Sequence, residues 1–415
     1  EAARLQLRRL LAAQLGEDGV HREHSPAFHA AALAVLGRIL AADLGVDSEL
    51  AAAREGMEEA LAWMITPRGT LATIGDSEPR LRPPAPVAQL VSPHLQHMLT
   101  RGRAGAPPEA SVRGFPDSGY VAFRRGGADE QGSYLLQICG FHSRVHKHAD
   151  DLSFVWHDRG EDLLIDPGRY GYSERTAPGS ELHEQGFWYA DPKRVYVEST
   201  EAHNTVQLDG GSYPRKGVRP YGSGLTRWGE RGPVLFSEAT VRHHRSIVHS
   251  RVLMLCPGEW LIVLDAVADS TGAAHDYVQR FHFGPRLSGR SAGTGLALTA
   301  PGQPAGIFML PFVPAEHVGP VRGQEHPMLG WASSAPGALE PVWTDGFAAR
   351  DTSRHVFATL LAFGEERPEI SDESRTNVSG RRARLVWQAD DGRHQIDLNR
   401  EPEDLELRYR RVRED

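Results

Sequence analysis

The chain has 415 residues, enough for two or three domains with sizeable cores. Hydrophobic residues make up 40% and charged residues 24%, ordinary values for a soluble globular protein, and no apolar run approaches the ~20 residues of a membrane span. A formal charge of -8 with no long basic run argues against nucleic acid as a partner, while leaving room for a local basic cleft that receives an anionic polymer.

The chain opens in E-A-A-R-L-Q-L-R-R-L-L, which reads like the middle of a helix, so further residues are expected upstream of Glu1. Leu5, Leu7, Leu10, Leu11 and Leu15 keep helical spacing until Gly16 to Gly19 break it. Ser25 followed by Pro26 is a helix start, and Phe28, Ala32, Val35, Leu36, Ile39 and Leu40 share one face until Gly45. Asp47 or Ser48 caps a third helix that carries Met57, Leu61 and Met64 and ends at Pro67. A shorter helix is expected around Val87 to Leu99, after the loop T-I-G-D-S-E-P. Such antiparallel helical pairs form an α/α array in which neighbours bury one another's apolar stripes.

Arg101 to Ala110 reads as a boundary between a helical domain, 1–105, and a second domain, 106–415. Beyond it the apolar period changes from 3.6 to 2. Strands are expected at Tyr120 to Arg124, Ser133 to Cys139, Leu152 to Trp156, Leu163 to Asp166 and Thr205 to Asp209, and onward to Arg393 to Leu398. Many short strands with Gly and Pro turns and almost no helix between them mean a large antiparallel β-sandwich, so the fold class is multidomain α + β. Cys139 and Cys256, the only cysteines, lie in apolar runs and read as buried thiols, with one disulfide left open.

The chemistry-bearing stretch runs from His142 to His203. His146 and His148 stand two residues apart, Asp166 closes an apolar strand and His203 precedes another. Two histidines and a carboxylate suit zinc, which accepts imidazole nitrogen and carboxylate oxygen alike. His157 to Gly160 reads as a hairpin turn that sets Asp166 opposite Ser153, leaving His148 roughly 17 Å away on an extended strand. Lys147 to Asp151 must therefore fold back if the three are to meet, and the fold-back must also split His146 from His148, which extended backbone would place on one face. The alternative is a solvated loop in which Asp166-Pro167-Gly168 is only a turn.

In this order and separation, H-x-H-A-D-x-L-S-F, L-I-D-P-G-x-Y-x-Y and S-T-x-A-H-N-T-V resemble the C-terminal half of the heparinase II and III family of polysaccharide lyases, most strongly from about Gly119 to Asp209. The resemblance implies an incomplete α/α toroid followed by stacked antiparallel sheets, with the first residues here supplying the last toroid helices. It makes His146 catalytic, His148, Asp166 and His203 the ligands of a structural zinc, and Tyr170 a tyrosine facing the substrate cleft. It implies a secreted or periplasmic lyase that cleaves a uronic-acid-containing polysaccharide by β-elimination, with an anionic polysaccharide as partner and the oligomeric state open.

Elimination removes the C5 proton of the uronate, neutralises the adjacent carboxylate and returns a proton to O4. In the family a polar Asn or His on an earlier toroid helix neutralises the carboxylate, and that helix is expected upstream of Glu1. The stretch from Asp18 to His29, D-G-V-H-R-E-H-S-P-A-F-H, resembles a family segment whose tyrosine usually transfers the proton; here the position is Phe28, which has no titratable proton. Either His146 and Tyr170 carry the transfer, or His29 substitutes, or the protein is inactive or a Tyr-to-Phe variant.

Glu23, Phe28, His29 and Arg194 are the substrate-side candidates. Phe28 can pack against a sugar but cannot transfer a proton. The others have bland readings too: Glu23 is a carboxylate favoured near a helix start, His29 is a core or surface histidine, and Arg194 with Lys193 is a solvated turn that could equally grip an anionic sugar. His243, His244, His249, His275 and His282 read as sheet residues. Two other functions compete with the lyase. One is a carbohydrate-binding protein that keeps the fold without turnover, favoured by Phe28; the other is a zinc hydrolase, weaker because catalytic zinc keeps an open position beside a general base.

Overall fold

The computed structural model describes residues 2–42, 48–243, 246–291, 295–303 and 305–412; Glu1, Gly45, Asp47 and His244 lie outside them. Four helices come first: α1 (Ala2–Gln14), α2 (Pro26–Ala41), α3 (Ser48–Trp63) and α4 (Pro93–Leu99). Ser25 caps α2 as its spacing predicts, its hydroxyl accepting from the Phe28 N–H. The single helix expected over Val87 to Leu99 is instead a 3-10 turn, Val87–Gln89, followed by α4, because Pro93 has no N–H to continue a helix and Ser92 starts a new one by accepting from Leu95. Leu33 and Leu36 of α2 pack with Met57 and Leu61 of α3 and with Leu95 and Met98 of α4. Among the described residues no helix is long and apolar enough to cross a membrane.

From Val112 onward the chain is mostly antiparallel sheet. The first sheet runs Val112–Phe115, Tyr120–Arg125, Ser133–Ile138, Phe154–Asp158, Glu161–Leu164 in spatial order. A second, eight-stranded sheet is built around Val234–His243, Ile247–Cys256, Trp260–Asp269 and Arg354–Gly364. A third sets His275–His282 between Val206–Leu208 and Trp343–Thr352, and a four-stranded sheet that includes Arg382–Ala389 and Gly392–Asn399 packs outside. One apolar layer joins Phe123, Leu135 and Trp156 to Leu253, Leu261 and Phe281; another joins Met254 and Trp260 to Leu385 and Trp387. Cys139 and Cys256 are free, buried thiols.

The helices and the first sheet share a core. Val20, Trp63, Met64 and Ile74 pack with Phe115, Tyr120, Leu136 and Ile138, and the Tyr134 hydroxyl donates to the Trp63 carbonyl at 2.9 Å. Asp18 accepts the backbone N–H groups of Asp117 and Ser118 at 3.0 and 2.9 Å, fixing the α1–α2 connection on the sheet.

The hairpin register departs from simple pairing. Arg159 and Gly160 both have positive φ, 49° and 80°, and form a two-residue turn. A bulge between Trp156 and His157 then pairs Leu164, rather than Leu163, with Trp156. The strand stops at Leu164, two residues short of the expected end at Asp166. Ile165 instead donates its N–H to the His282 carbonyl at 2.9 Å, carrying Asp166 off the first sheet toward the third.

Candidate functional site

Gly140–Phe141 is followed by a loop that returns to the first sheet only at Phe154. Both sides of it are tied down. His24, at φ 60°, accepts the His142 N–H on Nε2 at 2.8 Å and donates from Nδ1 to the Val145 carbonyl at 3.1 Å. Burial and the Lys147 charge push its imidazole down to about 3, so it serves as a neutral two-ended clamp. Further along, Ala149 donates to the Glu198 carbonyl at 2.9 Å, and the Thr200 and Thr205 hydroxyls donate to the carbonyls of Ala149 and Asp151 at 2.9 and 2.6 Å. Lys147 turns inward to an ion pair with Asp150 and a 2.9 Å contact with Asp151. These contacts produce the fold-back that the spacing demands.

His146 sits at φ 54°, and this left-handed residue separates its ring from that of His148. His148 is completely buried, whereas the His146 side chain keeps 20% of its surface exposed. Asp76, from the T-I-G-D-S loop, joins the two rings. Its Oδ2 accepts from His146 Nδ1 at 3.0 Å and from the Tyr172 hydroxyl at 2.8 Å; its Oδ1 accepts from His148 Nε2 at 3.0 Å and pairs with Arg194 at 2.6 Å. Burial alone would raise the Asp76 carboxyl, but the hydrogen bonds from both histidines and the Arg194 charge outweigh it and hold the group well below the usual carboxylate range. Gly75 makes the approach possible: at φ 57°, a Cβ there would lie 2.5 Å from the His24 carbonyl oxygen and 2.8 Å from that of His146.

His148, Asp166 and His203 converge beneath this network, one ligand atom from each lying within 4.8 Å of the others. Asn204 aligns them. Its Nδ2 donates to the carbonyls of Phe154 and Ile165 at 2.8 and 2.9 Å and its Oδ1 accepts the His282 N–H at 2.7 Å, so His203 is fixed beside the residue preceding Asp166. His203 Nδ1 meets Asp166 Oδ2 at 3.0 Å. His148 Nδ1 and His203 Nε2 are buried nitrogens with no hydrogen-bond partner. Two orphaned imidazole nitrogens beside a buried carboxylate are the donors that zinc takes, so the residues present fit such an ion.

The substrate-side candidates separate. Phe28 stacks on His146 with ring centroids 3.4 Å apart and planes at 16°. Glu23 Oε2 stands 3.4 Å from His146 Nε2 on the ring's other edge. His29 does not reach the cleft: it is fully buried, accepts the His21 N–H at 3.1 Å, donates to the Met57 carbonyl at 2.8 Å, and burial pushes it down to about 4. Its place in the α2 core corrects the substrate assignment. Arg194 is likewise internal, on a short helix Pro192–Glu198, paired with Asp76 and, at 2.5 Å, with Glu198, so it braces Asp76 instead of meeting a sugar.

Tyr170 is partly buried. Its ring packs with Tyr196, Val197 and Leu329, while Tyr172, two residues on, has its hydroxyl 3.3 Å from His146 Nδ1. Partial burial and the Asp76 charge push the Tyr172 phenol upward, so it stays protonated. Asp76 and Tyr172 were not singled out from the sequence. The signals available were the Gly-Asp pair in T-I-G-D-S and the second tyrosine of Y-G-Y.

A family model described as Heparinase II/III-like, C-terminal, matches residues 107–317, half of the chain. A curated relative, a heparin-sulfate lyase from Bacteroides stercoris, is 24% identical over 176 residues, which is 42% of this chain and 24% of that protein. The fold is similar to the crystal structure of a heparan sulfate lyase from Pedobacter heparinus, with a TM-score of 0.75 and 16% identity over 99% of this chain and 61% of that one. It is similar to a crystal structure of heparinase III too, with a TM-score of 0.74 and 14% identity over 94% of this chain and 62% of that one. The chain thus spans about a quarter of the curated relative and about three fifths of the two solved chains.

Proposed function

Because the chain belongs to the heparinase II/III-like family, we propose that it is a polysaccharide lyase cleaving a uronic-acid-containing polymer by β-elimination. The observation that carries this reading is the dyad of His146 and Asp76, with Tyr172 on the same carboxylate oxygen, in a partly open position between the helical part and the first sheet. Asp76 accepts from Nδ1, which leaves His146 Nε2, with Glu23 Oε2 3.4 Å away, as the proton-accepting atom. That nitrogen takes the uronate C5 proton, the C–H electron pair becomes the C4=C5 bond, and the C4–O4 bond breaks. Tyr172, whose hydroxyl stands 3.3 Å from His146 Nδ1, supplies the proton that O4 requires as it leaves, and the phenol is restored by the proton that His146 has gained. Phe28 then serves as a flat support for the His146 ring in place of a second phenol.

The same reading gives His148, Asp166 and His203 one zinc with a structural role. His148 of the fold-back loop would hold the ion together with Asp166 and His203 of the second and third motifs, and the ion would supply a structural cross-link between them. His148, so held, would in turn orient Asp76, which contacts His146. A secreted or periplasmic location, where anionic polysaccharides are met, belongs to this proposal.

A second reading, a carbohydrate-binding protein without turnover, is favoured by one observation, Phe28 at the place of the family's tyrosine. Ultraviolet absorbance of the unsaturated uronate separates the two when the protein is incubated with heparin, heparan sulfate, hyaluronan, alginate and glucuronan. Elimination creates the chromophore; binding and hydrolysis do not.

A further inference from the structure

Large apolar side chains that remain exposed flank the His146 network: Val145 at 42%, Tyr172 at 41% and Trp188 at 42%. Tyr172 and Trp188 are linked through Tyr189. Tyr172 stacks on Tyr189 with centroids 5.1 Å apart and planes at 24°, and Tyr189 adjoins Trp188 in the chain. Arg144, two residues before His146, lies over the Trp188 ring at 4.4 Å and donates to the Gly186 carbonyl at 3.0 Å, so the indole is held in place while much of it stays open. Arg175 pairs in backbone with Tyr189, and its guanidinium lies 5.8 Å from that ring.

The charges here are uneven in a telling way. Arg169 and Arg194 in the same wall have carboxylate partners, Glu78 for the first and Asp76 and Glu198 for the second. Among the described residues no carboxylate pairs directly with Arg144 or Arg175, although the Glu198 charge acts on Arg144, and Arg144 Nε is buried without a hydrogen-bond partner. A supported, exposed indole against the Arg144 guanidinium, with the Arg175 guanidinium beside the neighbouring Tyr189 ring, suits a pyranose that offers an apolar face for stacking and a carboxylate or sulfate for the forked donors.

We propose that Trp188, Arg144 and Arg175 form a subsite for an anionic sugar ring, adjoining His146 and reached along Tyr172 and Tyr189. This rests on the lyase reading above and adds to it where the neighbouring sugar lies and that this sugar is charged. The subsite is tested in full-length protein carrying His146→Ala, which prevents turnover, by titrating a heparan sulfate tetrasaccharide against intrinsic tryptophan fluorescence and calorimetry, with neutral cellotetraose as control. Adding Trp188→Ala should weaken tetrasaccharide binding by about 10-fold or more, and Trp188→Phe should restore most of it. Arg144→Gln should weaken the anionic ligand and reduce the salt dependence of its binding while leaving the control unchanged.

In the protein with His146 intact, Trp188→Ala should raise KM by a larger factor than it lowers kcat. Unchanged tetrasaccharide affinity in Trp188→Ala overturns the subsite even if elimination is observed. Loss of affinity in that variant, in a protein that never produces unsaturated uronate, keeps the subsite and overturns the lyase reading instead.

Discussion

Asp76 Oδ2 lies 3.0 Å from His146 Nδ1, and this contact joins a loop of the helical part to the first histidine of the β part. The other oxygen of the same carboxylate contacts His148, so one side chain orients both members of the H-x-H pair. Asp76→Asn keeps the shape and removes the charge. It should lower elimination by about 100-fold or more, because an amide offers one acceptor where the site uses two. Asp76→Ala should also destabilise the fold by about 3–5 kcal/mol, since it leaves Arg194 buried beside one carboxylate instead of two. Steady-state kinetics and urea unfolding read the two effects separately, and a fully active Asp76→Asn protein would remove Asp76 from the mechanism.

Two tyrosines two residues apart should behave differently. Tyr172→Phe removes the hydroxyl on Asp76 and should reduce elimination by ~100- to 10,000-fold. Tyr170→Phe should leave the rate within about threefold, because its ring packs with Tyr196 and Leu329 whereas the Tyr172 hydroxyl is the one that meets Asp76. Phe28→Tyr places a phenol against the His146 ring and should raise the rate. The reverse order for Tyr170 and Tyr172 would return the role to Tyr170.

Metal analysis of purified protein should give about one zinc per chain, with His148→Ala and His203→Ala each losing it and lowering Tm, since binding energy at such a site is folding energy. His146→Ala should keep the metal. A metal-free protein of unchanged stability contradicts the assignment.

Acid should destabilise the protein well above the carboxylate range. Burial pushes His24 and His29 down to about 3 and about 4 from the ordinary 6.5, so each binds a proton more readily once unfolded. Their contribution is complete above pH 6.5 and is lost as pH falls toward 4. At pH 5 each has cost about 2 kcal/mol. Asp76, held low, stays ionised in both states between pH 5 and 6.5 and adds no slope there. Urea midpoints at pH 7 and pH 5 should therefore differ, and His29→Gln should narrow the difference.

Local signals carried much of this far. Ser25-Pro26 gave the start of α2, and alternating apolar residues gave Ile247–Cys256 and Trp260–Asp269 almost to their ends. The need for a fold-back at Lys147 to Asp151 followed from spacing. Other features were hidden because they depend on partners remote in sequence. Leu225–Arg231 alternates poorly, being an edge strand held by Val234–His243. Tyr170 and Tyr172 share one motif, and spacing does not tell which ring turns toward Asp76 at a point where Tyr170 has a positive φ of 60°. Asp76 lies 70 residues before His146, in a loop that no short-range pattern connects to it. His29 and Arg194 carry polar side chains whose burial is set by α2 packing and by the Glu198 pair.

The most direct test is the ultraviolet trace of wild-type protein and His146→Ala on the panel of uronate polymers, with circular dichroism and zinc content checked in both. The account predicts rising absorbance from at least one polymer with the wild type, and loss of that rise in a folded, zinc-loaded His146→Ala protein. No absorbance from any uronate polymer, or an undiminished rise in the variant, would contradict it.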